Sequence, residues 1–164
     1  MSVEEKDMTV KITPSGSSGR KFPAMNGLFR AALAVNTAAY RLLRGRGMAK
    51  MAILTTVGAR TGQKRSLPLA VFEAGHDAWW VVASMGGAPR HPAWYHNLAR
   101  NPDQVELEVG GRRLKVSPES LHGAERDGAW KVIVERSPNF GGYARDTDRE
   151  IPVVRLTPSP GQSA

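Results

Sequence analysis

The sequence predicts a mainly-β fold, a small barrel with a few short helices, and three observations carry that expectation. Six short β-rich runs follow one another, separated by glycine-bearing turns. Only three stretches have helical character, and they do not alternate with strands as a parallel βαβ sheet requires. The chain has 164 residues, 41% of them hydrophobic, enough for one domain with a substantial core.

Residues 1–22 include Thr13-Pro14-Ser15-Gly16-Ser17-Ser18-Gly19, a polar run without core-forming pattern, and read as a disordered segment. Residues 23–157 read as the single domain and 158–164 as a disordered tail. Over 24–43, Met25, Leu28, Phe29, Ala32, Val35, Ala39, Leu42 and Leu43 recur at i, i+3, i+4 and i+7. At about 100° per residue they share one stripe, with Arg30, Thr37, Arg41 and Arg44 opposite. Gly45 and Gly47 close this amphipathic helix. It either packs its apolar face on the core with a solvated basic face, or lies on an anionic membrane surface.

The strands are expected at 51–57, 65–73, 78–84, 105–109, 112–116 and 151–156. The turns fall at 58–63, at Gly75-His76-Asp77 and at Gly110-Gly111, the last a two-residue hairpin signal. Helices are expected at 92–99, where Pro92 suits the first turn, and at 124–135.

Composition excludes several chemistries. There is no cysteine, so disulfides, thiolate catalysis and cysteine-ligated metals are out. No apolar run reaches the roughly 18 residues of a membrane span, and the charged, acidic start is unlike a secretory signal. A cytoplasmic protein is expected. The charge is lopsided: eleven basic and no acidic residues lie between Met8 and Phe72, against eleven basic and twelve acidic from Glu73 onward. A positive N-terminal half implies an anionic partner: a phosphorylated cofactor, a membrane surface or nucleic acid.

Three segments carry the candidate chemistry. Residues 55–65 form a glycine-bearing turn with Arg60, Lys64 and Arg65 close together, which can cradle a phosphate although the P-loop spacing is absent. Ala83-Ser84-Met85-Gly86-Gly87 follows an aromatic strand, and its paired glycines allow a flat ring or backbone to approach. Residues 91–102 crowd Trp94, Tyr95, His91 and His96 on one short helix ended by Asn101-Pro102. The two histidines are five apart, not four, and no metal site is expected. No GxSxG elbow or triad signature appears, so a bound redox cofactor that does the chemistry itself suits the chain better than a protein nucleophile.

In order, Thr55–Arg65 (TTxGxxTGxxR), Pro68, Ala83–Gly87 (ASxGG) and Pro92–Pro102 (PxWYxNLxxNP) resemble the deazaflavin-dependent nitroreductase family of actinobacteria. The TDRxIPV stretch from Thr147 to Val153 strengthens the likeness, which covers about residues 25–157. The resemblance implies a split β-barrel of the flavin-reductase, FMN-binding type, often dimeric, and the cofactor F420, a phosphorylated deazaflavin with a polyglutamate tail. It implies that Arg60, Lys64 and Arg65 hold the phosphate, helped by turn amides of Ala59, Thr61 and Gly62. Pro68, Ala83, Ser84 and Met85 would line the ring, Gly86 and Gly87 would give access, and Trp94 would cover the cofactor. The implied reaction passes a hydride from the reduced ring to an electron-poor acceptor: a quinone, an unsaturated lactone-like compound or a nitro compound.

Two departures from relatives that activate nitroimidazoles stand out: Met85 replaces a lysine, and Phe140 falls where a tyrosine positions substrate. Phe140 can stack but cannot protonate, leaving Tyr143 as the hydroxyl candidate. The alternatives are an FMN-dependent reductase of the same barrel and a non-catalytic basic binding module. No nucleic-acid motif supports the latter, and no nucleic-acid partner is expected. A quinone dissolves in lipid, so membrane contact through residues 24–44, on the inner face of the cell membrane, is a further expectation.

Overall fold

In the computed structural model, which describes residues 10–21, 27–42 and 51–161, seven strands form one curled antiparallel sheet. The strands are β1 (Met51–Val57), β2 (Lys64–Ala70), β3 (Phe72–Gly75), β4 (Ala78–Val82), β5 (Glu106–Val109), β6 (Arg112–Ser120) and β7 (Val153–Pro158). Their order is β2-β1-β5-β6-β7-β4-β3. The expected run 65–73 is in fact two strands that part at Val71. β2 and β3 are the two edges of the sheet, yet they are consecutive in the chain, so the edges are drawn together and the sheet becomes an almost closed barrel. The mainly-β split barrel is therefore what the chain adopts.

β6 makes the curl possible. Its residues 112–115 pair with β5 and 116–120 with β7, so one strand belongs to both halves. Its strict in-out alternation buries Leu114, Val116, Pro118 and Ser120 and marks a strand with one wet face. The β5–β6 turn has positive φ at both Gly110 and Gly111 (57° and 77°), the geometry that matches strand twist and that glycine adopts without strain. Pro68 sits on edge strand β2, opposite Ile53, where a missing N–H is tolerated.

Two apolar clusters result. One fills the barrel with Leu54, Val81, Tyr95, Leu98, Leu107 and Leu156. The second joins the far face of β4 and β7 to α3 (Gly123–Arg136) and α4 (Asn139–Asp146) through Phe72, Ile133, Phe140 and Ile151. α2 (Ala93–Arg100) buries Trp94, Tyr95 and Leu98 in the first.

Two expectations need correction. Residues 10–21 are not a loose polar segment. Val10 is buried in the barrel core, the Tyr95 hydroxyl donates to Lys11 O at 2.7 Å, and Asp148 accepts from Ser17 and Ser18. Long-range polar partners order this arm, which no local pattern reveals; residues 1–9, 22 and 162–164 lie outside the described residues.

The second concerns α1 (Gly27–Leu42). Its apolar stripe does not pack on the core: Leu28, Val35 and Leu42 are 80%, 69% and 84% exposed. The opposite face, with Thr37 and Tyr40 buried, meets the barrel instead. The Tyr40 hydroxyl lies 3.1 Å from Met51 O and 3.2 Å from Glu108 O, and Arg41 holds the Glu108 carboxylate through two nitrogens. Burial pushes the Glu108 carboxyl up, but hydrogen bonds from Arg41 and Arg113 outweigh it and hold the group below its usual range. Polar anchoring beats apolar pattern here. Met25, Leu43, Arg44, Gly45 and Gly47 lie outside the described residues.

Candidate functional site

α2 organises the candidate residues. α2 runs from Ala93 to Arg100, about 10 Å along its axis at about 1.5 Å per residue, with His91 just ahead of it and Asn97 in its second turn. The two ends of this short span hold two different turns.

At the Asn97 end lies the β1–β2 turn. Gly58 N donates to Gln63 O at 2.8 Å and Gly62 N to Gly58 O at 2.9 Å, which tightens it from within. Asn97, buried at 7% exposure, accepts from Ala59 N at 2.9 Å and donates to Thr56 Oγ1 at 3.0 Å. Asn101 donates to Val57 O at 3.1 Å. Of the turn amides expected to meet an anion, those of Ala59 and Gly62 are thus consumed, while those of Arg60 and Thr61 donate to no group among the described residues. The side chains of Arg60, Lys64 and Arg65 are exposed. Lys64 lies 3.7 Å from Glu106; Arg65 donates to the Gln63 amide oxygen at 3.0 Å. Neither Arg60 nor Arg65 faces a carboxylate among the described residues, so both guanidinium groups stand open to an anion.

At the His91 end lies Ala83–Ala88. Met85, Gly86 and Gly87 have φ of 44°, 62° and 82°, three left-handed residues in succession. This conformation costs a non-glycine residue about 1–2 kcal/mol, so Met85 needs support from outside. Arg149 supplies it. At 6% exposure, its guanidinium donates to Ala88 O (2.8 Å), Ala83 O (3.1 Å), Ser84 O (2.8 Å) and His91 Nδ1 (3.1 Å). An arginine can only donate, so His91 Nδ1 accepts; its Nε2 then carries the proton and donates to Thr13 O at 2.8 Å. Burial lowers the proton affinity of His91; the hydrogen bond to the Thr13 carbonyl opposes this, and the Arg149 charge lowers it further.

The turn is backed on two sides. The arm donates Arg20 N to Gly87 O at 3.0 Å and Gly16 N to Pro89 O at 2.8 Å. α4 comes so close that a Cβ on Gly87 would stand 2.8 Å from Tyr143 O. The amides of Met85 and Gly86 donate to nothing among the described residues.

Other candidates take different places. Ala83 is fully buried and contributes only backbone, Ser84 is nearly so, and Met85 and Pro68 are half-buried. Trp94, at 5% exposure, packs in the barrel core edge-on to Tyr95, so its own indole face is not open to cover a ligand. Phe140, at 8% exposure, stacks edge-on against Phe72 and Tyr143 at 5.7 and 5.6 Å. It belongs to the second core rather than to a substrate-facing loop, because residues 139–146 are helical. Tyr143 is half-buried, its hydroxyl accepting from Asn139 Nδ2 at 3.3 Å. His91 and His96 approach at 6.1 Å between ring centroids, but both His91 nitrogens are committed.

Sequence reasoning missed Asn97, Asn101 and Arg149 as the side chains that hold the site. All three stand in the NLxxNP and TDR stretches, so motif membership was the available signal. Buried polar latches leave no trace in hydrophobic periodicity.

Comparison with known proteins completes the picture. Residues 32–158 match the family model described as F420H(2)-dependent quinone reductase. An F420H(2)-dependent quinone reductase of Mycobacterium tuberculosis is 40% identical over 134 residues, covering 76% of this chain and 89% of the relative. The solved structure of an F420-H2 dependent reductase, FDR-A, is 39% identical with a TM-score of 0.59, covering 65% of this chain and 93% of that one. Another, described as a domain-swapped dimer, is 34% identical with a TM-score of 0.60 over 77% of this chain and 98% of that one.

Proposed function

The chain belongs to the F420H(2)-dependent quinone reductase family, and from that premise we propose that it transfers a hydride from reduced F420 to a quinone. The observation that carries this reading is the pairing of two open turns at the two ends of α2. One presents Arg60, Arg65 and two amides, the other the amides of Met85 and Gly86, all four without an acceptor among the described residues. The first fits a phosphate or carboxylate tail and the second a flat polar ring edge, so the donors present fit a phosphorylated deazaflavin. When bound, that group supplies the two-electron hydride chemistry.

The protein's own share is binding, orientation and exclusion of water. Arg60 and Arg65 bind the anionic end, with Lys64 shared with Glu106. The turn from Ala83 to Gly87 orients the ring, and Pro68, half-buried on edge strand β2, is the further lining residue of this reading. Tyr143 offers a hydroxyl on the acceptor side; Met85 presents an apolar rim to a lipophilic quinone.

The test is a fluorescence titration with oxidised F420, and with FMN in parallel. Micromolar or tighter binding of F420 without FMN is expected. Arg60→Ala/Arg65→Ala weakens it by at least about 10-fold, since each charge-assisted hydrogen bond lost is worth about 1.5–3 kcal/mol. Wild-type affinity in the double variant overturns the phosphate assignment, and binding of FMN alone moves the protein to the flavin branch.

Two further parts of the reading concern assembly. The relative described as a domain-swapped dimer supports a homodimer. The outward stripe of Leu28, Val35 and Leu42 supports peripheral contact with the cytoplasmic membrane face, where a quinone resides. Among the described residues no helix is long and apolar enough to cross a membrane. Leu28→Asp/Val35→Asp is expected to abolish co-sedimentation with anionic phosphatidylglycerol vesicles; unchanged co-sedimentation refutes the contact.

A further inference from the structure

We propose that Arg149 is a positioning residue that presets the left-handed turn Met85–Gly87 for hydride transfer. Its position in the fold leads there. The guanidinium takes the carbonyls of Ala83 and Ser84, which enter the left-handed run, and of Ala88, which leaves it. One rigid fork therefore closes both ends of the run. With those three carbonyls turned inward, the intervening amides of Met85 and Gly86 have no acceptor among the described residues. The hydrogen bonds within the turn, Gly87 N to Ser84 O and Ala88 N to Met85 O, close it locally but do not aim it.

The clamp is made at a cost that a purely packing role would not require. Arg149 is a buried cation whose partners are carbonyls and the neutral ring of His91, with no carboxylate among them. A buried charge without a counter-ion is retained where its geometry matters. His91 extends the clamp to the arm at Thr13 and Asp148 anchors the arm at Ser17 and Ser18, so the residues flanking Arg149 hold its surroundings fixed.

The consequence for catalysis rests on the reading above, in which the ring lies against this turn; the clamp itself does not. Two variants separate them. Arg149→Lys keeps the charge but can reach only part of the carbonyl set, and Arg149→Met removes the charge at similar volume. In the protein without cofactor, amide hydrogen exchange in a peptide spanning 84–89 is expected to rise at least about tenfold, with the barrel strands unchanged. F420 affinity falls by much less than in the Arg60→Ala/Arg65→Ala protein, because Arg60 and Arg65 are untouched. The turnover number falls about 10- to 100-fold, the scale on which a misplacement of about 1 Å acts. Protected amides at 84–89 in both variants overturn the clamp. Wild-type turnover, or a loss of F420 affinity as large as that of the Arg60→Ala/Arg65→Ala protein, overturns the positioning role. Failure of both variants to fold assigns Arg149 to the whole fold and equally overturns it. If the wild-type protein binds no F420, the functional reading fails while the exchange measurement still judges the clamp.

Discussion

Replacing Asn97 by leucine removes the latch between α2 and the β1–β2 turn while nearly conserving volume. Two hydrogen bonds disappear, from Ala59 N at 2.9 Å and to Thr56 Oγ1 at 3.0 Å. Their consequences differ. Ala59 is exposed, so its amide regains a partner from water. Thr56 is fully buried, and its hydroxyl is left with no acceptor or donor. An orphaned buried group costs about 1–3 kcal/mol and the lost bond to Ala59 about 1 kcal/mol, so about 3 kcal/mol in all. For a domain of this size each kcal/mol lowers Tm by about 2–4 °C, giving a fall of about 6–12 °C by calorimetry. Asn97→Asp loses less, because a carboxylate still accepts from Ala59 N and accepts the Thr56 hydroxyl proton. A Tm for Asn97→Leu within about 2 °C of wild type, or equal to that of Asn97→Asp, refutes the latch.

Three more expectations follow from the same network. His91 has its proton affinity lowered by burial, so its stabilising contribution is complete above the unfolded value of about 6.5 and is lost as pH falls below it. Urea midpoints are therefore lower at pH 5 than at pH 7.5. The difference shrinks in His91→Gln, whose amide can still accept from Arg149 and donate to Thr13. Gly87→Ala places a Cβ 2.8 Å from Tyr143 O at a φ of 82° and is expected to destabilise by about 2 kcal/mol or more in urea unfolding. Asp148, held at about 2 by the hydroxyl of Ser17 and the amides of Ser18 and Ser17, anchors the arm. Asp148→Asn is expected to speed proteolysis within residues 10–21 without lowering the barrel's Tm, and unchanged cleavage contradicts that anchoring.

The barrel was legible because its strands obey simple rules. The alternation along β6, the Gly110-Gly111 turn and the apolar run of β1 each announce themselves locally. α4 was not legible: Gly141 and Gly142 are poor helix formers, and the segment is packed instead through Phe140 against Phe72 and through Tyr143 and Ala144 on the same cluster. α1 was legible as a helix but not in orientation. Tyr40 and Thr37 lie off the apolar stripe yet are the buried residues of the helix, and the ion pair between Arg41 and Glu108, 67 residues apart, helps set which face turns inward. The cations of the β1–β2 turn and the paired glycines were visible as candidates. Their supports, Asn97 and Arg149, were not, since a polar residue reads as surface until its distant partner is known.

The measurement that bears most directly on the account is the oxidation of reduced F420 by a soluble quinone analogue, followed through the cofactor's absorbance. The account predicts turnover by the wild-type protein. With Arg60→Ala/Arg65→Ala it predicts a raised KM for F420 and a turnover number that changes little once the cofactor is saturating. No turnover with any quinone despite tight F420 binding, or turnover with reduced FMN in place of F420, would contradict it.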